Sequence, residues 1–520
     1  MTSLSEPASA PAPAPTLAAI DVGTNSVHLV VARLLDGGGF EVVEREKEAV
    51  RLGSGPGDMK QLGADAMARG IAALDRMRQV AAISGAPVRA VATSAVREAE
   101  NRDEFVRRAH EEAGVDVEVI SGIEEARLIH LGVLQALPVF DTPLLVVDIG
   151  GGSTELVLGY RGEVRASRSL KLGHLRLTDR FFTGERLRSR DVMAARSFVR
   201  SALVPFVHEV EHHSFKMAAG SSGTIQALAR LVQPDLRVTN AFTFTRAQLA
   251  TVIDALLSAD TAAKRREIEG IEPARADVIV AGALILEQVM DAFGAESLMV
   301  SDYALREGVL LDTVGRTEAG HVLHHLRDVS RRGVAQLAAL CDEEPEHSAH
   351  VARLALSLFD ATTTLHQLDV GCREYLEAAA LLANVGLFVS HSKHHLHSYY
   401  VIRNSERLVG LTDTEIEIIA LVARYHRKSG PKDSHPEFAR LAPRERHIVR
   451  VLAGLLRVAI GLDRTHEGKI TSVRVVALDP LQIEAVGVPG ADIALELYAA
   501  KERSGLLGDV FDREVEIIRA

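Results

Sequence analysis

Two apolar runs in this chain each meet an aspartate, break at a turn of small residues, and resume as a second alternating run. In LLVVDIGGGSTELVLGY, residues 144–160, four apolar positions lead into Asp148, three glycines and two hydroxyls follow, and alternation restarts at Glu155. The pattern predicts strand, tight loop, strand. DVGTNSVHLVV, residues 21–31, has the same form. At an offset of 127 residues Asp21 falls on Asp148, Gly23 on Gly150, Ser26 on Ser153, Leu29 on Leu156 and Val30 on Val157. An internal repeat implies a duplicated unit, and two units with equivalent loops set them face to face across a cleft.

Around these loops the periodicity predicts strands at 27–34, 41–48 and 88–92, a turn-rich loop at 53–57, and a helix at 64–82 through Met67, Ile71, Leu74 and Met77. Thr93 or Ser94 then starts a helix with Arg97 in its early turns. A helix N-terminus already carries partial positive charge, so Arg97 is either solvated or helps that helix end hold an anion. Residues 117–120 read as a strand, and Ile123, Ala126, Ile129 and Val133 as one helical stripe. Ser121 and Glu124 have capping-box spacing. Glu125 is either a first-turn acid complementing the dipole or a carboxylate aimed at the cleft.

Further on, Lys171, His174 and Arg176 surround Gly173 on a strand edge or at phosphate contacts. Gly220, Ser221, Ser222 and Gly223 form a turn feeding a helix, a geometry suited to anions. A helix is predicted at 275–290, a strand at 297–300, and a polar turn with Asp302 before a helix carrying Arg306 and Glu307. From about 320 the texture becomes helical and histidine-rich, with helices at 376–389, 420–428 and 446–462. From about 470 short strands return, including IALELYAA at 493–500 and the final EVEIIRA.

Composition narrows the functional classes. At 520 residues and roughly 100–200 residues per domain, about three to four domains are expected. Only Cys341 and Cys372 occur, which argues against a disulfide framework and for a reducing, cytoplasmic setting. No apolar run approaches membrane-spanning length. Residues 1–16 lack the basic start and apolar segment of a secretory signal and read as a disordered Pro/Ala tail. A net charge of −11, no tryptophan and few aromatics disfavour nucleic acid as a partner. A polyphosphate or nucleotide ligand would need locally basic walls.

The pieces IDVGTNSVHLVV, VATSAVREAENRDEF, EVISGIEEARLIHLGV, LVVDIGGGSTELVLG, LKLGHLRL, AAGSSGTI and VSDYALREGVLL, in this order, resemble the exopolyphosphatase and guanosine pentaphosphate phosphatase family. NVGLFVSHSKHHLHSYYVIRN and ARYHRKSG are similar to its longer exopolyphosphatase-type members. The resemblance implies an α/β chain with two actin-like ATPase, ribonuclease-H-like lobes at 17–129 and 130–312. An α-helical HD-like domain at 313–466 and a small α+β domain at 467–520 would follow them.

The resemblance further implies that Glu125 is the general base and Arg97 a fixed cation on the phosphoryl group. Gly23, Thr24, Asn25, Ser26, Gly150, Gly151, Gly152, Ser153, Thr154, Ser222 and Gly223 would bind phosphate. Asp148 and Glu155, with Asp21 facing them, would hold a divalent metal; hard oxygen donors beside phosphate suit Mg²⁺. His28 stands in the first repeat where Glu155 stands in the second, so the metal is expected nearer the second loop. Water attack on a terminal phosphorus needs such a carboxylate, donors and cation.

In the helical domain His347, His391 and Asp463 are near HD-type positions. A bridging His-Asp pair is replaced by Ala383 and Asn384, which speaks against a two-metal site. The cluster His391, His394, His395 and His397 reads as a polar helix start rather than a zinc site. Lys171, Arg176, Arg427 and Lys428 are expected to contact the distal part of a polyphosphate chain. The predicted activity is release of orthophosphate from inorganic polyphosphate by a cytoplasmic homodimer. The alternatives are guanosine pentaphosphate hydrolysis, a non-catalytic polyphosphate or nucleotide sensor, and an ATP-dependent kinase sharing the lobes. No G-x-x-x-x-G-K-[ST] motif occurs.

Overall fold

The structure is a computed structural model that describes residues 15–35, 40–53, 60–236, 238–316, 324–405, 407–408 and 410–520. Residues 1–14 of the expected tail and most of the 53–57 turn lie outside them. The chain divides into two compact units, residues 1–327 and 328–520.

The first unit holds two sheets. Strands β1 (Thr16–Val22), β2 (Ser26–Leu34), β3 (Phe40–Ala49), β4 (Val88–Ala92) and β5 (Val117–Val119) form a sheet of order β3-β2-β1-β4-β5. Thr16, assigned to the tail by sequence, is thus the first residue of β1, paired with Arg33. Strands β6 (Leu144–Ile149), β7 (Thr154–Tyr160), β8 (Glu163–Leu170), β9 (Met217–Ser221), β10 (Thr243–Thr245) and β11 (Ser297–Val300) form the second, of order β10-β11-β9-β6-β7-β8. In each, three antiparallel strands are followed by two parallel ones. The sequence repeat is therefore a topological repeat, to which β10 adds one antiparallel edge. Central β6 is apolar and buried at nearly every position, whereas edge strand β3 reads FEVVEREKEA and is largely exposed. Charges along such an edge discourage further pairing.

Helices α1 (Ala64–Ile83), α2 (Ser94–Glu98), α3 (Arg102–Ala113) and α4 (Gly122–Ala136) belong to the first lobe. In the second are α5 (His174–Phe181), α6 (Ser189–Glu209), α7 (Ser222–Val232), α8 (Arg246–Ser258), α9 (Ala262–Arg265), α10 (Ile279–Phe293) and α11 (Leu305–Arg316). One hydrophobic cluster joins β1, β2 and β4 to β6, β7 and β9 through α4 and α11. That explains why α4 is buried on every side from Glu124 to Val133, an all-round burial expected of a helix between sheets. Inside it Arg127 binds Glu124 at 2.6 and 2.8 Å and Asp312 of α11 at 2.6 Å, and Asp312 also accepts from Arg89 at 2.7 Å. Where the chains of α4 and α11 cross, an added Cβ on Gly308 would sit 1.8 Å from the Leu128 carbonyl oxygen, and one on Gly132 2.1 Å from that of Ala304. Only glycine permits that approach.

One expected helix in this unit is short and another is displaced. The helix after Thr93 lasts five residues, because Ala99 is extended, and Arg97 therefore lies in its last turn. The helix expected from Arg275 begins at Ile279, behind a 3₁₀ turn at Pro273–Arg275.

The second unit contains α12 (His324–Cys341), α13 (Pro345–Ala361), α14 (Thr363–His366), α15 (Gly371–Leu382), α16 (His394–Asn404), α17 (Asp413–Arg424), α18 (Pro436–Ala439), α19 (Pro443–Leu462), α20 (Ala494–Arg503) and α21 (Gly505–Phe511). A sheet of β12 (Ile470–Leu478), β13 (Leu481–Gly487) and β14 (Val515–Arg519) completes it. One core runs from Val334 to Val515, so the terminal strands share it with the helices. IALELYAA, expected as a strand, is mostly helix α20. Its Ala500 lies against Gly461 of α19, where an added Cβ would be 2.5 Å from the Ala500 Cα, so close helix packing overrides the alternation. The predicted helix at 376–389 ends at Leu382 and gives way to a 3₁₀ turn, and that at 420–428 is the end of α17.

Candidate active site

The two repeat loops are matching tight turns. Gly23 N–H donates to Ser26 O at 3.1 Å, and Gly150 N–H to Ser153 O at 2.9 Å. Their remaining carbonyls are taken from behind. In the second turn His174 N–H donates to Gly150 O, Leu175 and Arg176 N–H to Gly151 O, and Arg176 Nε to Gly152 O, all at 3.0–3.3 Å. In the first, Val50 and Arg51 N–H donate to Asn25 O and Gly53 N–H to Thr24 O. A trans peptide points its N–H opposite its C=O, so the amides of Gly151, Gly152, Ser153, Asn25 and Ser26 turn away from these supports, an arrangement suited to an anion. Gly151 is glycine for space: an added Cβ would lie 3.3–3.4 Å from the Cβ atoms of Thr24 and Asn25. The turns thus meet, as the repeat predicts.

Strand register fixes the acids. Asp21 stands opposite His28, and His28 opposite Lys47, across β1, β2 and β3. In the second sheet Asp148 stands opposite Glu155, and Glu155 opposite Ser169, across β6, β7 and β8. Directly opposed residues share a face. Ser221 Oγ donates to Asp148 and Ser169 Oγ to Glu155, the latter at 2.8 Å. Burial pushes Asp21 up to about 7 and Asp148 up to about 6, and with the repulsion of Glu125 and Asp148 it drives Glu155 well above the carboxylate range. Burial, with Arg306 and Lys47 nearby, keeps His28 neutral.

Glu125 enters from the first turn of α4. Arg97 Nη1 donates to its Oε2 at 2.8 Å and to Ile120 O at 3.0 Å. Burial raises the Glu125 carboxyl and Arg97 pulls it back; the net direction is upward. Ser121 Oγ caps the helix through Glu124 N–H at 3.1 Å, while the Glu124 carboxylate binds Arg127.

These groups line a cavity of about 450 Å³. It includes Asp21, Gly23, Thr24, Asn25, Ser26, Glu125, Asp148, Gly150, Gly151, Gly152, Ser153, Glu155, Ser222 and Gly223. Ser222 has φ +79°, a conformation uncommon outside glycine, and its Oγ donates to Ile149 O at 2.9 Å. An added Cβ on Gly223 would be 2.3 Å from Arg275 Nη2, so the glycine admits that arginine.

The remaining expected residues have partners of their own. Thr154 turns its hydroxyl to Leu172 O. Arg97 stands behind Glu125 rather than on the cavity lining. Lys171 Nζ and Arg176 Nη2 both go to Glu98, at 2.7 and 3.1 Å, and neither lines the cavity. Arg427 and Lys428 belong to the second unit, where Arg427 Nη1 donates to His394 Nδ1 at 3.1 Å and Lys428 O accepts from Arg457 at 2.7 Å. His394 Nε2 meets His426 Nε2 at 3.2 Å, and His426 Nδ1 donates to Ala423 O. The chain of donors from Arg427 accounts for these imidazoles by hydrogen bonding.

Arg45, Lys47, Arg230, Arg275 and Arg306 form a basic wall that sequence reading did not assemble. Burial and Arg275 lower the Lys47 ammonium, a sign that these cations crowd one another. The one local signal is on β3, where Arg45 and Lys47 share a face; the others come singly from separate elements.

The acidic side fits a hard cation. Asp21 Oδ1 is buried and has no hydrogen-bond partner among the described residues, and every acid in the group supplies oxygen. Among the described residues no group of three or more His, Cys, Asp or Glu is gathered closely enough to hold a metal ion, so any cation there would take much of its shell from water or ligand oxygens. Among the described residues no helix is long and apolar enough to cross a membrane.

A family model described as the Ppx/GppA phosphatase family matches residues 30–317, and one for Ppx/GppA phosphatase, domain III, matches residues 329–485. An exopolyphosphatase structure from Cytophaga hutchinsonii is 30% identical with a TM-score of 0.55, covering 59% of this chain and 99% of its own. A Ppx/GppA family member from Aquifex aeolicus is 31% identical with a TM-score of 0.51, covering 58% of this chain and 97% of its own.

Proposed function

Because the chain belongs to the Ppx/GppA phosphatase family, we propose that it hydrolyses the terminal phosphoanhydride of inorganic polyphosphate and releases orthophosphate. The observation that carries this reading is one cavity with two opposed amide-presenting turns, an acidic side holding Glu125, and a basic wall. A terminal phosphoryl group would sit between the turns, with the rest of the chain along Arg45, Lys47, Arg230 and Arg275. Glu125, held by Arg97, orients or deprotonates the attacking water. The amides of both turns receive the charge that spreads over the phosphoryl oxygens. Asp148, Glu155 and Asp21 would hold Mg²⁺, which neutralises phosphoryl oxygen charge when bound.

No Phe, Tyr or Trp is among the described lining residues, whose only rings are the imidazoles of His28 and His174, and the lack of a large stacking platform favours polyphosphate over guanosine pentaphosphate, whose base has a π-face to stack. For the second unit the reading is an HD-like scaffold without its metals: His347 Nδ1 bonds Asp463 at 2.8 Å, and Ala383 offers no ligand. Orthophosphate release from long polyphosphate, short polyphosphate and guanosine pentaphosphate, each with and without Mg²⁺, tests the proposal. Mg²⁺-dependent release strongest with polyphosphate is expected; faster release from guanosine pentaphosphate would transfer the assignment to that substrate.

A further inference from the structure

The five-residue helix α2 ends in two consecutive charges that face different parts of the site. Arg97 reaches Glu125, within its own lobe. Glu98 reaches into the other lobe: its Oε1 accepts from Arg176 Nη2 at 3.1 Å and its Oε2 from Lys171 Nζ at 2.7 Å, with Ser94 Oγ at 3.3 Å. The side chains of Glu98 and Arg176 are only 13% and 8% exposed. The same Arg176 guanidinium donates through Nε to Gly152 O at 3.0 Å. A carboxylate of the first lobe thereby grips the arginine that pulls a carbonyl of the second turn backwards.

We propose that Glu98 is a positioning residue that, through Arg176, holds the second glycine turn with its amides facing the cavity. The inference rests on reading that cavity as a phosphoryl-hydrolysis site. Without Glu98 the guanidinium loses the carboxylate that fixes its Nη2 across the two lobes, and the hold of its Nε on Gly152 O weakens. The Gly152–Ser153 peptide is then free to rotate, and the Ser153 amide leaves the phosphoryl position. Glu98 touches no substrate in this scheme; its effect reaches the reaction through the turn.

The test uses the full chain with Glu98→Ala, Glu98→Gln, Glu98→Asp and Arg176→Met, read in two ways. Hydrogen exchange at the amides of His174, Leu175 and Arg176, which donate to Gly150 and Gly151, reports docking of the turn on α5 and needs no turnover. Exchange there is expected to accelerate about tenfold in Glu98→Ala and Arg176→Met, to stay near wild type in Glu98→Asp, and to be unchanged at Val50 and Arg51, which support the first turn. In orthophosphate release, Glu98→Ala is expected to lose roughly 10²-fold in kcat with KM changed less than threefold, as for a lost oxyanion donor. Unchanged exchange at 174–176 overturns the proposal whatever the activity. Faster exchange in a chain whose wild type releases no orthophosphate leaves the latch standing and defeats the functional reading instead. Equal acceleration around both turns would mean general loosening and also overturns it.

Discussion

Asp148 and Glu155 lie directly opposite each other across β6 and β7, each accepting a hydrogen bond from a serine on the next strand out, whereas the equivalent Asp21 faces a neutral histidine. The second lobe therefore carries a double acid, held in place by Ser221 and Ser169. Ser169→Ala is expected to raise the Mg²⁺ concentration for half-maximal activity by about tenfold, the usual size of an outer-shell loss. A titration of activity against Mg²⁺ checks this; an unchanged midpoint would dissociate Glu155 from the metal.

Under the proposed function Arg97 acts on the reaction through Glu125, to which it donates at 2.8 Å. Its guanidinium favours the carboxylate form of a group that burial drives upward, so removing it raises the Glu125 pKa further. Arg97→Met is expected to lower kcat by about 10²-fold at neutral pH and to move the acid limb of the rate profile to higher pH. Arg97→Lys should recover part of both. A uniform loss across the pH range would argue for a different role.

The basic wall predicts affinity for the chain beyond the reacting phosphate. Arg275→Ala is expected to raise KM for polyphosphate by about tenfold or more, the value of one charge-assisted hydrogen bond, and to flatten the dependence of KM on salt. Initial rates at several ionic strengths decide the matter.

His130 is buried in α4 with neither ring nitrogen partnered among the described residues, and burial lowers it to about 4. The folded protein keeps this ring neutral while the unfolded chain protonates it below its ordinary 6.5, so stability is lost as pH falls from about 6.5 to about 4. The loss amounts to about 3 kcal/mol for a full shift of that size. His130→Leu should flatten this limb in denaturant titrations between pH 4 and 7. A limb that persists in the variant would place its cause in other groups.

What was legible in the sequence was local. DVGTNSVHLVV and DIGGGSTELVL declare two strand-turn-strand units by spacing alone, and the mismatch of His28 with Glu155 marks their asymmetry. The support behind each turn was not legible, because it comes from residues 50–53 and from α5, and a backbone carbonyl's partner leaves no mark in residue type. Nor was the basic wall, whose arginines and lysine are spread from Arg45 to Arg306 on different elements. Arg97 was legible near the start of a helix that does begin at Ser94, but the end of that helix at Ala99 and the pairing of the guanidinium with Glu125 were not. IALELYAA shows the converse failure, an alternation overruled by the contact of Ala500 with Gly461.

The crossing of α4 and α11 sets a dimension for the whole catalytic half of the chain. At Gly132 and Gly308 one backbone rests on the carbonyls of the other with no room for a methyl group. Side chains elsewhere in the core can repack without altering that separation, because none stands between the two chains. The spacing of the sheets, and with it the width available between the two turns, has a mechanical stop built from main-chain atoms. If polyphosphate is the substrate proposed above, differences in its length are to be absorbed along the basic wall, where long side chains can bend, rather than between the turns.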